Sequence, residues 1–165
     1  MIDFLRVATS DAIHKTAELA AEIWREHYQP IIGAAQVDYM ISNFQSVAAI
    51  TSQLDKGELI YFLIRYDGIP EGYFAISVRQ DEVFLSKLYI RQAMRERGLA
   101  RKALDFIKGV AAENCLKRIS LTVNRNNHLA LQSYEKLGFV SHGTAVTDIG
   151  GGYVMDDYLL ALQLK

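Results

Sequence analysis

Apolar residues in the first third of the chain recur at helical spacing. Ile13, Ala17, Ala20, Ala21 and Trp24 fall on one face. They predict a helix after a first strand over Asp3 to Ala8, with Ser10 or Asp11 as its N-cap and an end near Pro30. Val37, Met40, Ile41 and Phe44 predict a second helix over Gln36 to Phe44. Ser46 to Leu54 continues as a short third one, stopped at Lys56-Gly57. The period then shortens to two. Leu59 to Tyr66, Glu71 to Arg79 and Val83 to Ile90 read as strands, joined by the hairpin signal Asp67-Gly68 and by Gln80-Asp81-Glu82, so an antiparallel meander is expected. Leu99, Ala103, Leu104, Ile107 and Ala111 return to helical spacing, and Lys117 to Val123 is a short strand. A helix between two strands of one sheet favours a parallel crossover. Asn127 to Leu137 is a last helix, ended by Gly138. Val140 to Thr147 and Val154 to Leu164 are final strands, joined flexibly through Asp148-Ile149-Gly150-Gly151-Gly152. The fold class is α/β (α+β): one domain over residues 1–165, with a mixed, mostly antiparallel sheet, helices on both faces and one parallel strand–helix–strand crossover.

Composition narrows this picture little. The chain of 165 residues is 50% hydrophobic and 22% charged, with a formal net charge of −1, which speaks against a general nucleic-acid binder. Cys115 is the single cysteine, so no intramolecular disulfide exists; it reads as a buried bystander. No signal peptide and no membrane-spanning stretch is visible, and a cytoplasmic location is expected. The four histidines show no metal-ligand spacing, so no metal is expected.

Charge changes the picture at one place. Four of the ten arginines fall between Arg91 and Arg101, where a strand ending Leu88-Tyr89-Ile90 gives way to a loop and then to a helix. Unpaired N–H groups at a helix start stabilise an anion. Gly98 and Ala100 keep bulk away from those groups. Arg95, Arg97 and Arg101 add positive charge. The stretch reads as a site for a discrete phosphate-bearing ligand.

Two segments together resemble the GCN5-related N-acetyltransferase superfamily. Arg95-Glu96-Arg97-Gly98-Leu99-Ala100 matches that family's phosphate loop, which has Arg or Gln, two residues, Gly, one residue, then Gly or Ala. Asn124, Asn127, Ala130, Tyr134 and Gly138-Phe139 match its later segment in order and spacing. The resemblance implies the acyl-CoA N-acyltransferase fold, acetyl-CoA as cosubstrate, and roles for particular residues. Leu88, Tyr89 and Ile90 would face the pantetheine arm and thioester. The amides of Arg95, Glu96, Arg97, Gly98, Leu99, Ala100 and Arg101 would hold the pyrophosphate, and Asn127 would hydrogen-bond the cofactor from the other side. Tyr134 would be the general acid toward the departing sulfur. The chain departs from the pattern at Gln92 and Met94, and at Glu96, where relatives often have glycine. Leu85, Ser86 and Lys87 stand where many relatives carry an acid, so the base that deprotonates the amine is unassigned. Glu26, His27 and Asp81 are candidates by location only. On the acceptor side the resemblance points to Trp24, His27 and Tyr28.

The expectation is therefore transfer of an acetyl group to a primary amine of a small molecule by direct attack. The acceptor is polyamine-like on the strength of the resemblance and of Glu18, Glu22 and Glu26, which could attract a cation. A homodimer through the final strands is the expected assembly. The alternatives are a protein or peptide amine as acceptor, and an acyl-CoA sensor without turnover.

Overall fold

The computed structural model describes residues 1–165. Strand β1 (Ile2–Arg6) leads into three helices, α1 (Ser10–Ile32), α2 (Ala34–Phe44) and α3 (Val47–Asp55). A meander follows, β2 (Ile60–Tyr66), β3 (Ile69–Val78) and β4 (Val83–Ile90). After a 3-10 turn at Gln92–Met94 come α4 (Leu99–Glu113), β5 (Arg118–Asn124), α5 (His128–Lys136) and the hairpin β6 (Val140–Gly150) and β7 (Tyr153–Gln163). All seven strands form one sheet in the order β1-β2-β3-β4-β5-β7-β6, antiparallel except for the β4–β5 pair that α4 connects. No helix is long and apolar enough to cross a membrane.

The apolar periods place the helices. Leu99, Ala103, Leu104, Ile107 and Ala111 on α4 pack with Phe74, Ile76, Leu85 and Leu121 on one face of the sheet, with α5 beside them. Leu19, Ala20, Ile23 and Trp24 on α1, with Val37, Met40 and Ile50 behind them, cover Tyr61, Leu63, Tyr73 and Ala75 on the other.

Local stops differ from expectation in three places. The N-cap of α1 is Thr9, whose Oγ1 accepts from the Ala12 N–H at 3.2 Å; Ser10 and Asp11 are already inside the helix. Pro30 does not end α1, because in the last turn it forfeits only one bond. Gly33, at φ 87°, ends it instead. The Gly150-Gly151-Gly152 connection is not a free loop. Tyr39 of α2 donates from its hydroxyl to the Ile149 carbonyl at 2.6 Å. A Cβ at Gly151 would lie 2.7 Å from its ring. The tight approach of α2 requires the glycines and holds the β6–β7 turn against the helical layer. Cys115 is likewise exposed rather than buried: it follows α4 in a left-handed conformation at φ 58°.

One irregularity positions everything that follows. Ala75 pairs with Lys87 and Ile76 with Leu85, so Ser86 has no partner on β3. This bulge gives β4 an extra residue and reverses which side chains face which layer. Leu85 before it and Leu88 after it both face α4, while Lys87 and Tyr89 face α1. The parallel pairing with β5 spans only Val83–Ile119, Phe84–Ser120 and Leu85–Leu121. Beyond the bulge the β5-facing edge of β4 is unpaired. Gly72 seats β3 closely against that stretch, since a Cβ there would lie 2.6 Å from the Tyr89 carbonyl oxygen.

Candidate active site

The cavity that opens where β4 and β5 part has a volume of ≈ 640 Å³. Its walls are the stretch of β4 from Leu85 to Ile90, Leu121 to Val123 of β5, the loop into α4, one face of α5 and the end of α1.

At one end lies the start of α4. Gly98 adopts the left-handed conformation at φ 82°, and no side chain caps the helix. The first helical bond runs from the Lys102 N–H to the Gly98 carbonyl, so the N–H groups of Leu99, Ala100 and Arg101 are left for a ligand. Glu96 is also left-handed, at φ 64°, which gives a backbone reason why glycine suits that place. Arg95 and Arg101 line the cavity. Arg97 is exposed and outside the lining. Arg91 is committed elsewhere, to Glu22 at 2.8 Å and Glu71 at 3.1 Å, where it fastens α1 to the sheet.

A chain of hydrogen bonds crosses the middle of the cavity. Arg95 reaches His27 Nδ1 at 3.5 Å. His27 Nε2 donates to Asn127 Oδ1 at 3.0 Å, and Asn127 Nδ2 donates to the Tyr28 hydroxyl at 3.1 Å. Asn127 Oδ1 also accepts from the Ala130 N–H at 3.4 Å, the N-cap bond of α5. One side chain thus starts α5 and ties it to α1. Burial, with the Arg95 charge nearby, holds His27 below the usual imidazole range and keeps the ring neutral. Trp24 stacks behind Tyr28 with centroids 4.3 Å apart and does not reach the cavity.

Tyr134 enters from α5, its ring edge-on to Phe139 at 5.3 Å. Burial pushes its phenol above the usual range, and the nearby Tyr28 adds to the shift.

Two charged groups escape a reading by motif. Lys87 is buried on the α1 face and lines the cavity. Tyr61, Ala75 and Lys87 form one row across three strands. The small middle residue lets the ammonium reach the Tyr61 hydroxyl at 2.7 Å, which in turn donates to Gln53 Oε1 at 2.6 Å. No carboxylate balances Lys87, and burial lowers its pKa to about 7. Asp157 of β7 is the second, 9% exposed with a buried Oδ1 that no donor reaches. The only local signal for it is the pair Asp156-Asp157 inside an otherwise apolar strand.

Lys87 makes a stability prediction. The unfolded chain holds its proton up to about pH 10.5, whereas the folded chain loses it from about 7. Folding stability gained from this group therefore rises with pH between those values. Lys87→Met is expected to raise Tm at about pH 6, with the gain narrowing as the pH approaches about 9.5. Thermal unfolding across that range checks it; a Tm difference that does not change with pH would show that the charge is not the source.

Comparison with known proteins agrees with this geometry. The model of the acetyltransferase (GNAT) family matches residues 16–139. An uncharacterized N-acetyltransferase of Mycobacterium tuberculosis is 27% identical over 150 residues, covering 90% of this chain and 95% of that protein. The 5-NmdU N-acetyltransferase of Pseudomonas phage PaMx11 is 23% identical over 123 residues, 73% of this chain and 86% of the phage protein. Among solved structures, the PaiA N-acetyltransferase of Thermoplasma acidophilum in complex with coenzyme A shares the fold with a TM-score of 0.79, at 16% identity over 99% of each chain. The ribosomal-protein-S18-alanine N-acetyltransferase of Escherichia coli does so at 0.69, at 17% identity over 100% of this chain and 95% of that one. The matched residues run from within α1 to the end of the α5 turn and so take in the cleft and the uncapped start of α4; the chain belongs to the GNAT family of acetyltransferases and is an N-acetyltransferase.

Proposed function

We propose that the protein moves the acetyl group of acetyl-CoA to the primary amine of a small molecule by direct attack in the β4–β5 cleft. The observation that carries this reading is the uncapped, left-handed entry to α4 at one end of a cavity whose other end reaches Tyr134. The N–H groups of Leu99, Ala100 and Arg101, with Arg95 and Arg101, hold the pyrophosphate. The free edge of Leu88, Tyr89 and Ile90 runs beside the pantetheine and the thioester, and strand amides there stabilise the oxyanion of the tetrahedral intermediate. Asn127 is the group on the facing wall. Its oxygen is occupied by His27 and Ala130, so the cofactor meets its remaining N–H. Tyr134, held protonated by burial, gives its proton to the departing thiolate.

Glu18, Glu22 and Glu26 recur at one-turn spacing, all exposed, along α1 toward His27. Glu22 is already paired with Arg91. The remaining acids favour a cationic acceptor, of which a polyamine is one form. The names of the structural relatives include a protein acceptor and the small molecule nourseothricin, so the panel that tests the proposal spans both classes: spermidine, tyramine, free lysine and an alanine-ended tripeptide. Free-thiol release from acetyl-CoA is expected with a small amine and not with the tripeptide. Stabilisation by CoA without thiol release from any amine would mark a sensor, and no response to CoA would refute the cleft assignment.

A further inference from the structure

Of the groups first considered for the proton of the amine, Glu26 and Asp81 are exposed and lie outside the cavity. His27 lines it, but both of its ring nitrogens are already engaged. Those engagements point to another role.

Each bond in the chain across the cleft fixes the next. Asn127 Oδ1 accepts from the Ala130 N–H and Asn127 Nδ2 donates to the Tyr28 hydroxyl, so the amide has one orientation. His27 Nε2, 3.0 Å from Oδ1, must then carry a hydrogen. In the neutral ring that leaves Nδ1 as an acceptor. The group facing Nδ1 is the Arg95 guanidinium at 3.5 Å, which can only donate. Arg95 also donates from Nε to the Ile90 carbonyl at 3.4 Å. Both of its partners are neutral, so its positive charge is not cancelled within the protein. A carboxylate in place of the imidazole would hold the guanidinium equally well but would cancel that charge. A protonated imidazole would set two donors and two like charges against each other.

We propose that His27 is a positioning residue for the cofactor: one ring holds Arg95 over the cleft with its charge intact and turns the free N–H of Asn127 toward the cavity. The inference rests on acetyl-CoA binding in the cleft. It adds a group on α1 that joins the loop before α4 to the start of α5, the two walls between which the cofactor lies. Four groups act on the ring. Arg95 faces it from the loop and Asn127 from the start of α5. Tyr28 of α1 stands edge-on with centroids 4.8 Å apart, and Glu26 of α1 is exposed beside it. Burial and the Arg95 charge hold the imidazole below its ordinary range, against the pull of the Asn127 bond and of Glu26. The neutral ring therefore prevails at neutral pH, and CoA affinity should fall only as acid protonates it.

The test is the dissociation constant of CoA, measured by calorimetry from about pH 7.5 to about pH 5 on the parent, His27→Gln and His27→Phe. Glutamine offers an acceptor and an amide donor and does not titrate. Phenylalanine keeps the ring contact with Tyr28 and neither bond. At about pH 7.5 the phenylalanine variant is expected to bind CoA about 10-fold more weakly, and glutamine to restore affinity to within about threefold of the parent. Between about pH 7.5 and about pH 5 the parent should lose about fivefold more affinity than His27→Gln. The phosphates of CoA titrate with all three proteins and cancel in that comparison. CoA affinity in His27→Phe within about twofold of the parent, or the same pH dependence in the parent and His27→Gln, overturns the proposal. So does tighter binding by the parent in acid, which would mark a protonated His27 as a phosphate ligand itself. A second measurement separates positioning from packing. Arg95→Ala should weaken CoA binding about 20-fold in the parent and no more than about fivefold in the His27→Phe background; equal factors overturn the proposal. Failure here is distinct from failure of the cleft reading, which is signalled by the parent showing no CoA binding at any pH.

Discussion

Replacing Tyr134 with phenylalanine is expected to lower kcat by about 100-fold and to leave acetyl-CoA affinity within about twofold. The ring of Tyr134 packs edge-on against Phe139 and against the α4-side core. Phenylalanine keeps that packing and removes only the hydroxyl, so the folded structure and the cofactor cradle survive. What would be lost, on the proposed mechanism, is the proton for the leaving thiolate. A free thiol titrates at about 8.5 and a free phenol at about 10, and burial raises Tyr134 further. The phenol is thus protonated throughout the working range and holds its proton into more alkaline solution than a free tyrosine would. Proton transfer to sulfur is favourable only as negative charge develops there, so the contribution appears in kcat and not in binding. Steady-state kinetics with calorimetric titration of CoA separates the two. An unchanged kcat would remove Tyr134 as the acid.

The second large effect is expected at Gly98. A Cβ built there meets nothing within 4 Å of the chain itself, so a side chain projects into open space at the mouth of α4. Two consequences follow for Gly98→Val. The left-handed φ of 82° is strained for any residue with a Cβ, at a cost of about 1–2 kcal/mol, more when it is β-branched. The branched group also stands before the free N–H groups of Leu99 to Arg101. Acetyl-CoA affinity should fall by about 100-fold, with a smaller loss of Tm. Gly98→Ala carries most of the backbone strain with little bulk and should lie between the two. Undiminished affinity in the valine variant would refute the pyrophosphate cradle.

Much of the fold is legible in the chain because the apolar period changes where the structure changes. The run Leu99 to Ala111 keeps one helical stripe and forms α4. Asp67-Gly68 forms a left-handed hairpin turn at φ 49° and 82°. The proposed cofactor half of the cleft is legible for a related reason: its chemistry is backbone chemistry, written locally in Gly98, Ala100 and the residues that lead into them. The proposed acceptor half depends on partners distant in sequence. Arg91 belongs to the arginine-rich loop by position but is drawn off by Glu22 and Glu71. Asp156 and Asp157 are identical neighbours, and only the sheet decides that the first meets Arg125 while the second is buried without a cation. Trp24 has the right residue type and helix face for a pocket wall, yet Tyr28 stands in front of it. Cys115 has a buried residue type, but the chain must turn sharply after α4, and that turn leaves it in solvent.

The bulge at Ser86 acts as a phase shift in β4. Upstream of it, a residue's distance from the strand's start tells which layer it faces; downstream, the same count gives the opposite answer. Deleting Ser86 would bring Lys87 into unbroken alternation opposite Ala75, so Leu88 and Ile90 would keep the α4 side and Tyr89 the α1 side; what would be lost is the bend that a bulge puts into β4 where it parts from β5. A single codon lost here would thus leave every lining residue on its own side and act on the parting of β4 from β5. The extra residue therefore serves the opening of the cleft and not the facing of its wall.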